Sequence, residues 1–385
     1  MRPFVTPELE SVEQVYRNRG FHLWFVGGCV RDWRRGADPK DVDLCTDATP
    51  DEQIAIYDDL GLAHYPTGLK HGTVSVMIGA VLYEITTLRT ESQHDGRHAE
   101  VAFTRDLSDD LGRRDLTINA MAMTFDGELI DPFGGAQDLE DGRVRFVGAA
   151  AERVGEDYLR ILRFLRFHGR FGAGLMDPEA AAACALYAHG LRKISGERIW
   201  DEMKKIVAHD SGPRVMQQMG RLGLWEALEV RGALLHDQLQ RAHEHTRDPV
   251  TLMAVFTGDL EAVTNRWRWS NAEKALGTFV GRQLLHPAPT LSQAKFQCAC
   301  NGVSKAHVQQ WLLAMGCVDV WTEIEAWDVP TMPVNGDDLL ARGFKGKEIG
   351  AALSACRLTW ALGDYQGERD DMLRMLDRVH EAPGG

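Results

Sequence analysis

The spacing of apolar residues changes near position 150, and this change limits the fold more than any other feature of the chain. Before it, short runs rich in β-branched and aromatic residues predict strands, after an opening helix near 7–19. These runs are FHLWFVGG, TVSVMIG, LYEITTL, AEVAF and RVRFVG. After position 150 apolar residues recur at helical spacing, as in ERIWDEMKKIVAHD and PRVMQQMGRLGLWEALE. The pattern predicts an α+β domain with a small mixed sheet, followed by helices alone.

The length of the chain indicates several domains. With 385 residues, of which 44% are hydrophobic, it can bury more than one core, and we expect two to four domains. A segment punctuated by prolines at 326–338 predicts a linker before a final pair of helices at 337–363. We divide the chain into four predicted parts, with boundaries at 1–148, 149–206, 207–330 and 331–385.

The charge of the chain restricts how it could meet a polyanion. Its net charge of -13 argues against a protein that coats nucleic acid through its whole surface. Residues 151–214 are an exception, because they hold 11 basic and 9 acidic residues. RNA would therefore dock against a local surface, and this segment is the candidate.

Cysteine usage and the first residues indicate the compartment. The seven cysteines include no CxxC pair and are odd in number, which favours reduced thiols over a disulfide framework or a zinc site. The first twenty residues lack a basic stretch followed by an apolar one, and no run approaches 18 uninterrupted apolar residues. We expect a cytoplasmic protein that crosses no membrane.

Two carboxylates near position 42 are candidate metal ligands. The run FVGGCVRDWRRGADPKDVDL predicts a strand, a Gly-Gly turn, a short helix beginning near Val30, and a second strand carrying Asp41 and Asp43. Alternation along a strand would put both carboxylates on one face. Carboxylate oxygens this close repel each other unless a divalent cation lies between them, and Mg²⁺ takes such ligands together with phosphate oxygens.

The turn before this helix suits a phosphate group. Gly27 and Gly28 allow the backbone to approach a triphosphate closely, and Arg31 can neutralise phosphate charge. Alone, a Gly-Gly pair is usually only a turn and a DxD sequence a solvated strand end. At this spacing the residues resemble the GGxVRD and DxD signature of polymerase-β-like nucleotidyltransferases, in the form found in bacterial CCA-adding enzymes and poly(A) polymerases.

The resemblance implies two-metal catalysis with two Mg²⁺ ions, held by Asp41 and Asp43. In such chemistry one ion activates the RNA 3′-hydroxyl and the other steadies the leaving pyrophosphate. Glu84, in the strand LYEITTL, either adds a third catalytic carboxylate or is a half-exposed strand residue.

The run GRRDLTINAMAM matches the RRDxxxNA motif of the same family, which selects ribonucleotides through the 2′-hydroxyl. Asp115 and Asn119 are predicted on one helical face at i,i+4, where they can bond a ribose, and the resemblance makes Arg114 a nucleotide contact. From the residues alone, Arg-Arg-Asp is more often a salt-bridge cluster at a helix start.

A polar stripe follows in GEDYLRILRFLRFHGRFG, which predicts a single mostly buried helix. Its polar residues recur every three positions: Asp157, Arg160, Arg163 and Arg166. Cytosine and adenine each present an amine donor beside a ring-nitrogen acceptor, whereas uracil and guanine present the reverse. A carboxylate beside a guanidinium can therefore act as a template for C or A. The stretch resembles the EDxxR motif of class II CCA-adding enzymes, and the last two arginines would continue toward the phosphates.

Within this family the resemblance favours tRNA as partner and CTP and ATP as substrates. The nearest alternative is a poly(A) polymerase, but YPTGLKHGTVSV resembles the TGxxHGTV segment of CCA-adding enzymes. The chain also lacks a strongly basic C-terminal extension. The final helices, joined by a Gly343…Gly346 turn, are similar to the tail that grips tRNA. A helix beginning at Lys347 or Glu348 is either a phosphate contact or one arm of a plain helical hairpin.

A CC-adding or A-adding relative is a further alternative. CC-adding enzymes have typically lost a loop that residues 89–103 retain here, including Asp95, Gly96 and Arg97, although His98-Ala99 stands where relatives usually have Arg-Pro. A binding module without chemistry conflicts with the intact Asp41 and Asp43. A phosphohydrolase, suggested by LLHDQL and HEHTRDP, lacks a set of metal-binding histidines.

Overall fold

The computed structural model describes residues 5–94, 99–231 and 235–380. The chain divides into two compact units, residues 1–229 and 230–385. The first unit contains every strand that the structure describes, together with helices that follow the sheet. The structure confirms an α+β fold with a mixed sheet followed by helices, whereas the finer division into four parts stays a prediction.

The first unit contains nine described strands. They are β1 (Leu23–Val26), β2 (Leu44–Thr46), β3 (His64–Gly68), β4 (Thr73–Ile78), β5 (Val81–Thr87), β6 (Arg89–His94), β7 (Ala99–Phe103), β8 (Ala122–Met123) and β9 (Leu129–Ile130). Seven form one sheet in the order β3-β4-β5-β2-β1-β8-β9, and β6 pairs with β7 separately. The sheet is mixed because β2 pairs with β5 in parallel while the other pairs are antiparallel.

Both faces of β1 and β2 are covered, which explains why consecutive residues in these strands are apolar. Phe25 and Leu44 belong to one buried cluster, and their neighbours Val26 and Cys45 belong to another on the opposite face. The centre of the sheet is therefore held rigidly between two layers. The turn after β1 and the helix that follows it carry the predicted phosphate residues, and the loop before β2 carries the predicted metal ligands.

Five of the eleven helices described in the first unit begin at a residue whose side chain caps the helix. The eleven are α1 (Pro7–Asn18), α2 (Gly28–Arg34), α3 (Pro50–Leu60), α4 (Leu107–Gly112), α5 (Gly135–Glu140), α6 (Ala150–Glu156), α7 (Arg160–Phe171), α8 (Pro178–Leu186), α9 (Gly196–Val207), α10 (Gly212–Arg221) and α11 (Leu224–Ala227). The five capped helices are α1, α3, α4, α8 and α9. The predicted opening helix is confirmed, since Thr6 caps α1 by accepting a bond from the amide of Leu9. Helix α2 begins at Gly28 and not at Val30.

A predicted strand and a predicted helix are among the expectations for this unit that are wrong. Residues 143–148 form no strand, and only an isolated bridge joins Phe146 to Leu116. This apolar run is buried by packing, because the ring of Phe146 stacks on that of Phe164 in α7. The single helix predicted for residues 155–172 is instead divided between α6 and α7, with the backbone of Asp157 extended between them.

The second unit is helical in the residues that the structure describes. Its helices are α12 (His236–His243), α13 (Pro249–Phe256), α14 (Leu260–Arg266), α15 (Asn271–Gln283), α16 (Leu291–Ala299), α17 (Lys305–Ala314), α18 (Val318–Ala326), α19 (Gly336–Ala341), α20 (Lys347–Leu362) and α21 (Arg369–His380). Residues 327–335 contain no helix, as expected of the linker. The final pair is present as α19 and α20, and Gly346 precedes the first residue of α20 at a φ of 52°.

Helix α21 was not predicted. Its apolar residues are few, but Met372, Leu373 and Leu376 are buried in a cluster with Trp360 and Cys356 of α20. No helix among the described residues is long and apolar enough to cross a membrane.

Candidate active site

A cavity of about 870 Å³ opens in the first unit, between the glycine turn after β1 and helix α7. All ten predicted nucleotide-binding residues line it: Gly27, Gly28, Arg31, Arg114, Asp115, Asn119, Asp157, Arg160, Arg163 and Arg166. Both predicted metal ligands, Asp41 and Asp43, line it too. Four stretches that are distant in the sequence therefore meet at one site.

The turn after β1 requires glycine at its first position. Gly27 has a φ of 75°, which L side chains rarely adopt. A Cβ there would also lie 2.7 Å from Nη1 of Arg114. Because Gly27 has no side chain, its backbone is exposed at the cavity wall and Arg114 can pack against it.

Asp41 and Asp43 lie in the loop that precedes β2, so the prediction that they alternate along a strand is wrong. The ladder with β1 begins at Leu44, and the carbonyl of Asp43 accepts one further bond from the amide of Val26. Both carboxylates remain exposed to the cavity. Among the described residues, no hydrogen bond or ion pair holds either side chain. We call this pair the acidic wall.

Negative charge is concentrated at the acidic wall. Partial desolvation raises the pKa of Asp43, and the charges of Asp41 and Glu84 act in the same direction, while Arg114 opposes them. A divalent cation would relieve this repulsion, and two unpaired carboxylates are ligands that suit Mg²⁺. These two residues therefore fit the expected metal.

Glu84 lies on β5 opposite Ser75, and its side chain is exposed. It does not line the cavity, although its charge reaches Asp43. No group of three or more His, Cys, Asp or Glu suited to a metal ion occurs in the described part of the chain. The catalytic role of Glu84 stays a prediction.

The predicted ribose-binding residues are connected, but not by one α-helix. Asn119 ends a 3₁₀ turn at Thr117–Asn119, and Asp115 precedes that turn. The side-chain Nδ2 of Asn119 donates to Oδ1 of Asp115 over 3.2 Å, and Nε of Arg163 donates to Oδ2 of Asp115 over 2.6 Å. Burial would raise the pKa of Asp115, but Arg163 and the amides of Asn119 and Leu116 outweigh burial and lower it.

Arg31 extends this network to α2. Its Nη1 donates to Oδ1 of Asn119 over 2.5 Å, and its guanidinium lies over the rings of Phe167 and Phe171, 5.2 Å and 4.8 Å from their centroids. Burial lowers the pKa of Arg31, although the carboxylate of Asp32 opposes this. Arg31 thus links the glycine turn to the ribose motif and to α7.

The predicted base-reading pair faces the cavity, but its two members are not bonded side by side. Oδ1 of Asp157 accepts from the amide of Leu159 over 3.0 Å, and Oδ2 accepts from Nη2 of Arg198 over 2.7 Å. Arg160 is paired with Glu156 and also donates to the carbonyl of Arg153. Each member is therefore held by its own counter-charge and not by the other member.

The remaining arginines of α7 are paired as well. Arg163 binds Asp115, and Arg166 donates through Nε to Glu202 of α9 over 2.6 Å. The guanidinium of Arg166 also lies 4.3 Å from the centroid of the Phe167 ring. We call Asp157, Arg160, Arg163 and Arg166 the arginine wall, and every side chain in it has a charged partner.

Five cavity residues were not predicted: Arg89, Arg113, Leu159, Phe167 and Arg198. Arg113 could have been found, because it stands beside Arg114 in the same motif. Arg89 and Arg198 carry no local signal, since each reaches the cavity from another element. The predicted loop residues Asp95, Gly96, Arg97 and His98 lie outside the described residues.

Comparison with known families agrees with this geometry. Residues 23–145 match the family described as "Poly A polymerase head domain", and residues 176–230 match "Probable RNA and SrmB- binding site of polymerase A". The chain is 37% identical to a mitochondrial CCA tRNA nucleotidyltransferase 1 of Danio rerio, over 97% of this chain and 91% of that protein. It is 31% identical to a CCA-adding enzyme of Levilactobacillus brevis, over 94% of each.

Solved structures give the same result. A CCA-adding enzyme of Bacillus stearothermophilus in complex with CTP superposes with a TM-score of 0.79 at 26% identity, over 98% of both chains. A Thermotoga maritima CCA-adding enzyme complexed with tRNA has the same fold, with a TM-score of 0.69 at 20% identity over 98% of this chain and 97% of that one.

Proposed function

The chain belongs to the family of CCA tRNA nucleotidyltransferases, and from this premise we propose that it adds C, C and A to the 3′ end of tRNA. It would take CTP and ATP as substrates, need no nucleic-acid template and release pyrophosphate. One observation carries the proposal: a single cavity is lined by the acidic wall, the ribose motif and the arginine wall. Nucleotidyl transfer and base choice can therefore occur on one bound nucleotide.

We propose that Asp41 and Asp43 hold Mg²⁺ and are the catalytic carboxylates. Bound Mg²⁺ would supply charge neutralisation at the triphosphate and lower the pKa of the attacking 3′-hydroxyl. The contribution of the chain is to keep both carboxylates exposed and unpaired beside the glycine turn. Gly27, Gly28, Arg31 and Arg114 would position the phosphates there.

The network around Asp115 would select the sugar. Asp115 and Asn119 are fixed by Arg163 and Arg31, so their orientation does not depend on a bound nucleotide. A ribose 2′-hydroxyl can both donate to a carboxylate and accept from an amide or guanidinium. A deoxyribose would leave these buried groups without that partner, which disfavours it.

The arginine wall would select the base. Asp157 offers carboxylate acceptors to the amine of cytosine or adenine, and Arg160 offers donors to the neighbouring ring nitrogen. Uracil and guanine would present a carbonyl to the carboxylate and an N–H to the guanidinium. Arg163 and Arg166 would extend the wall toward the phosphates.

The four predicted parts receive matching roles in this proposal. Residues 1–148 would carry catalysis, 149–206 base recognition, and 207–330 and 331–385 the body and the tail that hold the tRNA acceptor arm. The match of residues 176–230 to an RNA-binding family supports RNA contact near the second part. We propose a cytoplasmic location, although the vertebrate relatives are mitochondrial by name.

Poly(A) polymerase is the second candidate, because residues 23–145 match a family named for that enzyme. CC-adding and A-adding relatives remain further candidates, and the loop that separates them includes residues 95–98.

The experiment supplies each NTP separately and all four together to tRNA lacking its 3′ CCA, and sequences the products. Ends in CCA support the proposal, A-tails favour the second candidate, and a stop at CC restricts the activity to partial addition.

A further inference from the structure

Helix α9 contributes side chains that pair with the arginine wall and that were not among the predicted site residues. Arg198 and Glu202 lie one helical turn apart on α9, and they pair with Asp157 and Arg166, the first and last members of the wall. Arg198 also lines the cavity itself. Of the two, Arg198 contacts the residue that would read the base.

The carboxylate of Asp157 is fixed at both oxygens. Oδ1 is anchored by the amide of Leu159, which belongs to the same loop, and Oδ2 by Arg198, which comes from another helix. An aspartate side chain has two rotatable bonds, so one anchor leaves the carboxylate plane free to turn. The second anchor sets the direction of the remaining lone pairs. Each carboxylate oxygen can still accept another bond, so the base amine is not excluded.

We propose that Arg198 is a positioning residue for base selection, because it fixes the plane of the Asp157 carboxylate in which the amine of C or A is recognised. The inference rests on the proposed function of the same cavity. Arg198 would act through Asp157, and it is not assigned any contact with the reacting atoms. Arg198 would thereby help the site to distinguish bases that carry an amine at this edge, C and A, from bases that carry a carbonyl there, U and G.

The partner of Arg160 is local, whereas that of Asp157 is not. Glu156 lies four residues before Arg160 and would hold it whatever α9 does. Base selection would therefore depend on α9 through the carboxylate alone. A variant at position 198 should weaken the rejection of U and G while leaving nucleotidyl transfer in place.

The test compares Arg198→Gln with Arg198→Lys and with a matched arginine. Arg192 suits as the control, since its side chain is 52% exposed like that of Arg198 and it also forms an ion pair, with Glu226, but it does not line the cavity. For each variant, kcat and KM are measured for CTP, ATP, UTP and GTP on the full-length protein, together with KM for tRNA.

We expect Arg198→Gln to lower the ratio of kcat/KM for CTP over UTP by about three- to tenfold, as an ion pair of this exposure allows. The kcat of Arg198→Gln for CTP should change by less than about twofold. Arg198→Lys should recover part of the CTP over UTP ratio. Arg192→Gln should leave the ratio unchanged. In the background of Asp157→Asn, the substitution at 198 should have no further effect on the ratio.

Three results would overturn the inference. An unchanged CTP over UTP ratio with a raised KM for tRNA would make Arg198 an RNA phosphate contact. A lowered melting temperature with an unchanged ratio would make it a structural residue. Equal effects with and without Asp157→Asn would show that it does not act through Asp157. Failure of the wild-type protein to extend tRNA would instead refute the proposed function itself.

Discussion

The two walls of the cavity differ in how their charges are held. Asp41 and Asp43 of the acidic wall are exposed, and their side chains have no hydrogen-bond or ion-pair partner among the described residues. Asp157 and the three arginines of the opposite wall are each paired with an opposite charge. Unpaired like charges cost stability and invite a cation, whereas paired charges fix geometry. One wall is thus suited to chemistry and the other to recognition.

The largest expected effect follows from breaking the acidic wall. Asp43→Asn should lower kcat for extension with either CTP or ATP by about 10³ or more, because one of the two carboxylate charges that would hold the metal is lost. The free energy of unfolding should stay within about 0.5 kcal/mol of wild type, since no partner is left behind. Rapid-quench extension assays and urea titrations measure the two quantities.

Asp38→Asn is the control for that variant, because Asp38 is exposed in the same loop but does not line the cavity. It should retain wild-type kcat. A large stability loss in Asp43→Asn would show that the acidic wall is structural, and the contrast between the walls would fail.

The opposite pattern is expected where the ribose motif meets the arginine wall. Asp115→Asn should lower the free energy of unfolding by about 2–4 kcal/mol, because it leaves the partly buried charge of Arg163 without its carboxylate. It should also raise the use of dCTP relative to CTP. Urea titration and competition between the two nucleotides measure these effects.

The surface pair of Arg143 and Asp141 provides the comparison for Asp115, since its members are 53% and 41% exposed. Asp141→Asn should change the free energy of unfolding by less than about 1 kcal/mol. If Asp115→Asn were equally mild, the paired wall would not be contributing to stability.

His168, which is buried on α7, should make the stability of the protein sensitive to acid. Burial, helped by the charge of Arg214, lowers the pKa of His168 from 6.5 to about 4. Its contribution to stability is therefore complete above pH 6.5 and is lost as the pH falls from 6.5 to about 4. His168→Gln should remove on the order of 2 kcal/mol of this loss.

Urea titrations at pH 7, 5.5 and 4.5 measure the acid sensitivity. His286→Gln, at an exposed position, should keep the wild-type dependence on pH. Identical profiles for His168→Gln and wild type would contradict a neutral His168 in the folded protein.

The smallest effect concerns the glycine turn beside the acidic wall. Gly27→Ala should lower kcat/KM for both nucleotides by about tenfold, because a Cβ would displace Arg114 and strain the turn. Gly36 has the same φ of 75° but open space around it, so Gly36→Ala would carry the strain alone. Steady-state kinetics compare them, and equal kcat/KM losses would mean that contact with Arg114 plays no part.

Those residues of the site that belong to short local motifs could be predicted from the sequence. The glycine turn, Asp41 with Asp43, the RRD motif and the arginines were all predicted, and all line the cavity. These groups are recognisable because a few consecutive residues carry each of them. The mixed sheet was likewise predicted, since its strands alternate or are wholly apolar.

What the sequence could not show is how these groups are held. The break between α6 and α7 is hidden because apolar residues continue at helical spacing across it, while Asp157 adopts an extended backbone. The pairs of Asp157 with Arg198 and Arg166 with Glu202 join residues more than 30 positions apart. Such pairs depend on how α9 packs against α7, which helical spacing alone does not specify.

The most direct test of the different roles of the acidic wall and the arginine wall compares Asp43→Asn and Asp157→Ala in one assay. Each variant receives CTP, ATP, UTP and GTP separately, with tRNA lacking its 3′ CCA, and the products are sequenced. We predict that Asp43→Asn fails to extend the tRNA whichever nucleotide is supplied, whereas Asp157→Ala still extends it and now accepts UTP or GTP. Unchanged selection of C and A by Asp157→Ala would contradict the account.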